Sequence, residues 1–192
     1  MDCSGNGTDA TVIAGLDFVI SDHQNNGALL PLTPAVANMS LDGGPSAALD
    51  SAVRNTIAAG VFVAVAAGNF NDNACNYSPA DVTEAVTVAA IQINSLGLVQ
   101  RAGYSDFGSC VDIYGPGTTI TSTKLGGGSV NMTGTSMATP FVTGAAAVYK
   151  NAMGDADEGT IAAWLVTNGT TGLVQNNPAG TPNLIVFKSP TF

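Results

Sequence analysis

Positive charge is scarce in this 192-residue chain: five lysines and arginines stand against 14 aspartates and glutamates, for a formal net charge of −9. The few cations form no cluster, so the electrostatic footprint needed for nucleic acid is missing. Long apolar runs are absent too. The longest, AAGVFVAVAAG, is too short to cross a bilayer and reads as a buried strand, which leaves no membrane partner. The opening MDCSGNGTDATV has neither the basic nor the apolar region of a secretion signal. Histidine occurs once, as His23, so chemistry that needs an imidazole has one candidate. Three cysteines leave at least one without an internal partner. Either the chain is a reduced intracellular protein or part of a disulfide framework lies elsewhere.

What is present describes a globular α/β protein. Hydrophobic residues make up 45% and charged residues 10%, and 23 glycines imply tight turns and close backbone approaches. Composition is even, with no linker or repeat, so residues 1–192 read as a single unit. ATVIAGLDFVISDH has helical spacing, with Val12, Ile13, Leu16, Val19 and Ile20 on one face. AVANMSL and VFVAVAAG lack polar alternation and are expected as strands covered on both faces. Between them SAALDSAVRNTIAAG predicts a helix started at Ser46 and stopped at Gly60, which completes a parallel crossover unit. AVTVAAI is a further buried strand, DIYGPGTTI a turn-rich stretch, GTSMATPFVTGAAAVYKNAM and EGTIAAWLVTNG helices, and PNLIVF a closing strand.

Three stretches carry chemistry. Ser136 in GTSMATP stands at a predicted helix start, where the backbone N–H groups favour a developing anion, although a serine there is ordinarily a cap. Asn69 follows the strand of AVAAGNFND, at the carboxyl end of a parallel strand, where open α/β sheets place their sites. It could donate to an oxyanion or simply form a turn. NMSLDGG offers a strand edge to an extended peptide, or is an ordinary strand end.

In this order NMSLDGG, VAVAAGN and GTSMATP resemble the subtilisin-like serine proteases, and within them the proteinase K group. VIAGLDFV, NYSPA, YSDFGSCVDIYGPG and TPNLI are most similar to its aqualysin-type branch, and the resemblance runs from Asp2 to Ile185. It implies a three-layer fold, a mainly parallel sheet flanked by helices, here incomplete because the N-terminal strands are absent. It implies that Ser136 is the nucleophile of a serine endopeptidase and that its N–H and the Asn69 side chain form the oxyanion hole. Ser40, Leu41, Asp42 and Gly43 would face Ala66, Ala67 and Gly68 as two walls that hold the peptide or protein substrate. Asp112, with carbonyls near Thr83 and Ala85, would hold a structural Ca²⁺. Cys75 and Cys110 would form a disulfide, while the partner of Cys3 would lie in the missing N-terminal half. The full-length family member would be secreted.

The departures are as specific. The family's D-[ST]-G and H-G-T-H motifs, which carry its Asp and His, do not occur here. His23 lacks the family's context and is expected as a solvent-exposed residue at a helix end. Phe141 stands where the family has His, and Asp42 where it has Gly, a carboxylate that could favour basic residues. The isolated chain is therefore expected to be inactive, with a peptide-binding remnant as the alternative. An acid protease of the sedolisin type finds only Glu84 and Glu158, both out of context. Five N-x-[ST] sequons start at Asn6, Asn38, Asn76, Asn131 and Asn168. With Asn38 on an expected buried strand, most read as accidental.

Overall fold

A computed structural model describes residues 5–26 and 33–187. Cys3 lies outside them. The elements follow in chain order as α1 (Asp9–Asn26), β1 (Val36–Met39), α2 (Ala47–Ala58), β2 (Phe62–Ala66), β3 (Val86–Ile93), β4 (Val99–Arg101), β5 (Ile113–Pro116), β6 (Ile120–Thr123) and β7 (Ser129–Met132). The long helix α3 (Thr135–Met153), α4 (Glu158–Asn168), β8 (Thr170–Thr171) and β9 (Leu184–Ile185) complete it. The main sheet has the order β1-β2-β3-β5-β9-β8, with β4 paired to β3 and β6-β7 a separate hairpin. Its first four strands and the β5–β9 pair run parallel. No helix among the described residues is long and apolar enough to cross a membrane.

The sequence pattern explains the centre of this sheet. Every residue of β2 and the first six of β3 are buried between two layers of helices, as apolar runs require, and the one polar member, Thr87, donates its hydroxyl to the Ala80 carbonyl at 3.1 Å. α3 and α4 pack on one face through Val142, Ala146, Ile161 and Leu165. α1 and α2 pack on the other through Leu16, Leu49 and Val53. Ser46 caps α2 by accepting the Leu49 N–H at 3.3 Å.

β1 departs from expectation. It is the edge strand, and of its four residues only Met39 is buried. Asn38 is exposed, so the burial argument against its sequon fails. The turn-rich DIYGPGTTI contains β5, whose pairing with β3 and β9 is a long-range contact that local composition does not reveal. The closing strand shrinks to two residues.

His23, expected to be exposed to solvent, is buried, at 8% exposure. The end of α1 packs against α2, and the imidazole Nε2 lies 3.5 Å from where a side chain on Gly60 would begin. Cys75 and Cys110 are joined by a disulfide with their Cα atoms 5.4 Å apart, closing a 35-residue separation. Closing a loop of that length is worth roughly 4 kcal/mol in the chain-entropy account.

The seating of α3 depends on Gly115. A Cβ there would lie 2.6 Å from the Ala138 carbonyl oxygen, a backbone atom that cannot step aside. Gly115→Ala is expected to destabilise the fold by about 1–3 kcal/mol, the usual cost of overpacking. Equilibrium denaturant unfolding reads this directly, and an unchanged midpoint would contradict the close contact.

Candidate active site

β2 delivers Ala66, Ala67 and Gly68 to its carboxyl end as buried residues and leaves Asn69 exposed just beyond it. α3 begins beside Asn69. The Thr135 N–H donates to Asn69 Oδ1 at 2.8 Å, and the Thr135 hydroxyl lies 3.1 Å from the same oxygen. A backbone N–H can only donate, so the amide oxygen must face Thr135 and the Nδ2 group must point to the other side. Thr135 Oγ1 also accepts the Gly68 N–H at 3.3 Å. Asn69 is thereby fixed as a donor next to the first turn of a 19-residue helix, whose free N–H groups carry partial positive charge.

Ser136 is the second residue of α3 and half-buried. Its hydroxyl donates to the Ser40 carbonyl oxygen at 3.3 Å. Ser136 also lines a cavity with Ile120, Thr121, Ser122, Met137, Pro140 and Phe141, none of which is a titratable base. His23 is remote: it sits beside Gly60, before β2, whereas Asn69 follows β2. The five residues of that strand alone separate the two ends by roughly 15 Å, at about 3.3 Å per residue. Phe141, 44% exposed, lines this cavity instead of filling the core.

Sequence reasoning missed how Ser40 is held. Pro140 lies inside α3 and has no N–H, so it cannot donate to the Ser136 carbonyl four residues back. The Ser40 hydroxyl donates to that carbonyl instead, at 2.7 Å. Ser40 Oγ in turn accepts from Asn38 Nδ2 at 2.8 Å, and Asn38 Oδ1 accepts from the Thr143 hydroxyl at 3.1 Å. Gly43 exchanges backbone hydrogen bonds with Ser78 at 3.0 and 3.3 Å, which fixes the far end of this wall. Leu41 and Asp42, both half-buried, lie between these two anchors. The proline of GTSMATP was the available signal, since an interior helix proline leaves one carbonyl in search of a donor.

The candidate metal residues also converge. Thr83, Ala85 and Asp112 line one cavity with Glu84 and Glu158. Asp112 Oδ2 accepts the Thr87 N–H at 2.8 Å. Asp112 stays open to solvent along one side, yet the cavity wall strips enough water from its carboxyl to push its pKa up to about 6. Glu158, which the sequence offered only as a misplaced acid, accepts the Val63 N–H through Oε2 at 2.9 Å. Its Oε1 is buried with no hydrogen-bond partner, and desolvation pushes its pKa up to about 8. Among the described residues no three His, Cys, Asp or Glu side chains already stand close enough together to hold a metal ion by themselves. The donors in this cavity are nevertheless all oxygens, one of them unpartnered, which is a set that fits a hard cation.

The Ser40 contact makes a quantitative expectation. Ser40→Ala should cost about 1–2 kcal/mol, because it leaves the Ser136 carbonyl without a donor. In a Pro140→Ala background the helix supplies its own N–H, so the same substitution should cost less by at least about 0.5 kcal/mol. A double-mutant cycle on unfolding free energies that returns no coupling would rule out this account.

Comparison with known proteins identifies the family and the fold. The sequence profile of the subtilase family matches residues 1–184. The chain is 46% identical over 189 residues to an extracellular serine proteinase of Thermus sp. (strain Rt41A), covering 97% of this chain and 43% of that protein. It is 41% identical to alkaline serine exoprotease A of Vibrio alginolyticus, covering 97% of this chain and 33% of that protein. The crystal structure of a cold-adapted subtilisin-like serine proteinase superposes with a TM-score of 0.88 at 39% identity, over 97% of this chain and 64% of that one. The chain thus spans between a third and a half of the length of these two relatives. The motifs, the incomplete parallel sheet and these matches make the chain a member of the subtilase family.

Proposed function

We propose that this chain supplies the nucleophile and oxyanion-hole part of a serine endopeptidase site, with Ser136 as nucleophile and Asn69 Nδ2 and the Ser136 N–H as oxyanion donors. The observation that carries this is the double anchoring of Asn69 Oδ1 by Thr135, which holds a side-chain donor beside the N-terminus of α3. In the reaction Ser136 Oγ attacks the peptide carbonyl, and the two donors hold the oxygen as it becomes negative. Acyl-enzyme hydrolysis passes through a second such oxyanion. The proton of Ser136 needs a base, and the lining of the cavity beside it offers none. The general base and the acid that orients it are therefore assigned to residues outside this chain, in the part of the domain that the relatives have and this chain does not match. Alone, the chain is a partial catalytic domain with a slow nucleophile.

Ser40 to Gly43 and Ala66 to Gly68 are the two walls that pair with a peptide or protein substrate. The Ser136 hydroxyl contacts the first wall through the Ser40 carbonyl, and the neighbouring Thr135 hydroxyl accepts the Gly68 N–H of the second. By analogy with the relative named extracellular, the full-length protein acts outside the cell. A remnant that only binds peptide is the second reading, favoured by the bond that ties the Ser136 hydroxyl to that carbonyl.

Ca²⁺ is assigned to the Asp112 cavity. The Asp112 carboxylate, the Glu158 carboxylate and the carbonyls of Thr83 and Ala85 would hold it, and its charge would stabilise two carboxylates that burial disfavours. The role is structural and takes no part in the chemical step.

A fluorophosphonate probe separates the two functional readings. Free imidazole should speed phosphonylation of the full chain at Ser136, read by mass spectrometry of the labelled peptide. Asn69→Ala should slow it about 100-fold, the usual cost of one oxyanion donor. Labelling that ignores both imidazole and Asn69, or that falls on another residue, would refute the proposal. For the metal, millimolar Ca²⁺ should raise the melting temperature, with the rise lost in Asp112→Asn. An equal rise in both proteins would place the ion elsewhere.

A further inference from the structure

Asp106 is fully buried, in the middle of YSDFGS. Its Oδ1 accepts the Phe70 N–H at 2.8 Å and the Asp72 N–H at 2.9 Å, which fixes the carboxyl plane. Its Oδ2 is buried and has no hydrogen-bond partner. That oxygen fills the space a side chain on Gly68 would need: Gly68 has φ +110°, and a Cβ there would overlap Asp106 Oδ2. The same point lies 3.5 Å from Asp42 Oδ2. Asp42 therefore reaches from one wall of the cleft across to the other, and Asp106 meets it at Gly68.

Neither carboxyl has a cation. Among the described residues the ion pairs are Arg54–Glu84 and Lys150–Asp155, both away from the cleft. Loss of water pushes both Asp42 and Asp106 above the usual carboxylate range, and the charges of Asp42 and Asp72 raise Asp106 further. Asp72 is itself occupied, accepting from Asn76 Nδ2 and the Tyr77 hydroxyl at 3.2 Å each. A solvated acidic patch would be satisfied by water. A buried oxygen with no donor, facing a second carboxylate across a glycine, lacks a group that donates hydrogen bonds and carries positive charge.

We propose that Asp42 and Asp106 form a cation-accepting subsite in the peptide cleft, which takes the guanidinium of an arginine side chain lodged between the two walls. The planar fork of a guanidinium presents several donors at once and can serve two carboxylates, which a single ammonium does less well. The inference rests on the reading of the cleft as peptide-binding, and specifies its preference.

Isothermal titration of the full chain tests it with three acetylated tetrapeptide amides that differ only at the last residue: arginine, its neutral isostere citrulline, and leucine. The arginine peptide should bind at least about tenfold more tightly than the citrulline peptide. Asp106→Asn keeps the acceptor that Phe70 and Asp72 use but replaces the unpartnered oxygen, and should bring that ratio close to one without weakening the leucine peptide. Asp42→Asn, at a half-buried position, should reduce the ratio in the same way and provides the test if Asp106→Asn fails to fold. Equal affinity for arginine and citrulline in the unsubstituted chain, or a ratio that survives Asp42→Asn, overturns the proposal while leaving a peptide cleft in place. Binding of none of the three peptides overturns the cleft reading and the subsite with it.

Discussion

The hydrogen bond from the Thr135 N–H to Asn69 Oδ1 is the contact on which the arrangement of the site depends. It joins the end of β2 to the start of α3, two elements 66 residues apart along the chain. Because the bond consumes the amide oxygen, it leaves the amide nitrogen free to serve as a donor and fixes its direction. A side chain that would otherwise be a turn-forming asparagine thereby gains an orientation. Preorganised donors of this kind need no rearrangement as charge develops, which is why they are effective in catalysis.

A second constraint begins from a defect in the same helix. Pro140 removes one helical hydrogen bond one turn beyond Ser136, and the vacant carbonyl is filled by Ser40. The chain of hydroxyl and amide groups from Thr143 through Asn38 to Ser40 then ties α3 to the edge strand β1 at several points. The wall that would hold a substrate is thus registered against Ser136 by polar contacts, while close packing at Gly115 and Ala138 sets the height of the helix above the sheet. Both devices come from residues inside or next to the motifs, but neither acts locally.

That difference explains what was legible in the sequence. The largely apolar runs of β2 and β3 and the Ser46 cap are local signals, and they mark elements the fold contains. β5 and the edge position of β1 are decided by which strands pair, which composition does not encode. His23 looked exposed because its own neighbours are polar; its burial comes from α2 packing over the end of α1. The motifs pointed to Ser136 and Asn69, whereas Thr135, Asp106 and Glu158 emerged only once partners distant in sequence were brought together.

Ser136 and Asn69 are proposed to act together on one oxygen. A crystal structure of the chain phosphonylated at Ser136 tests it most directly. The phosphoryl oxygen is expected within hydrogen-bond distance, about 2.7–3.1 Å, of both Asn69 Nδ2 and the Ser136 backbone nitrogen. A phosphoryl oxygen turned to solvent, with Asn69 Nδ2 bonded elsewhere, would contradict it.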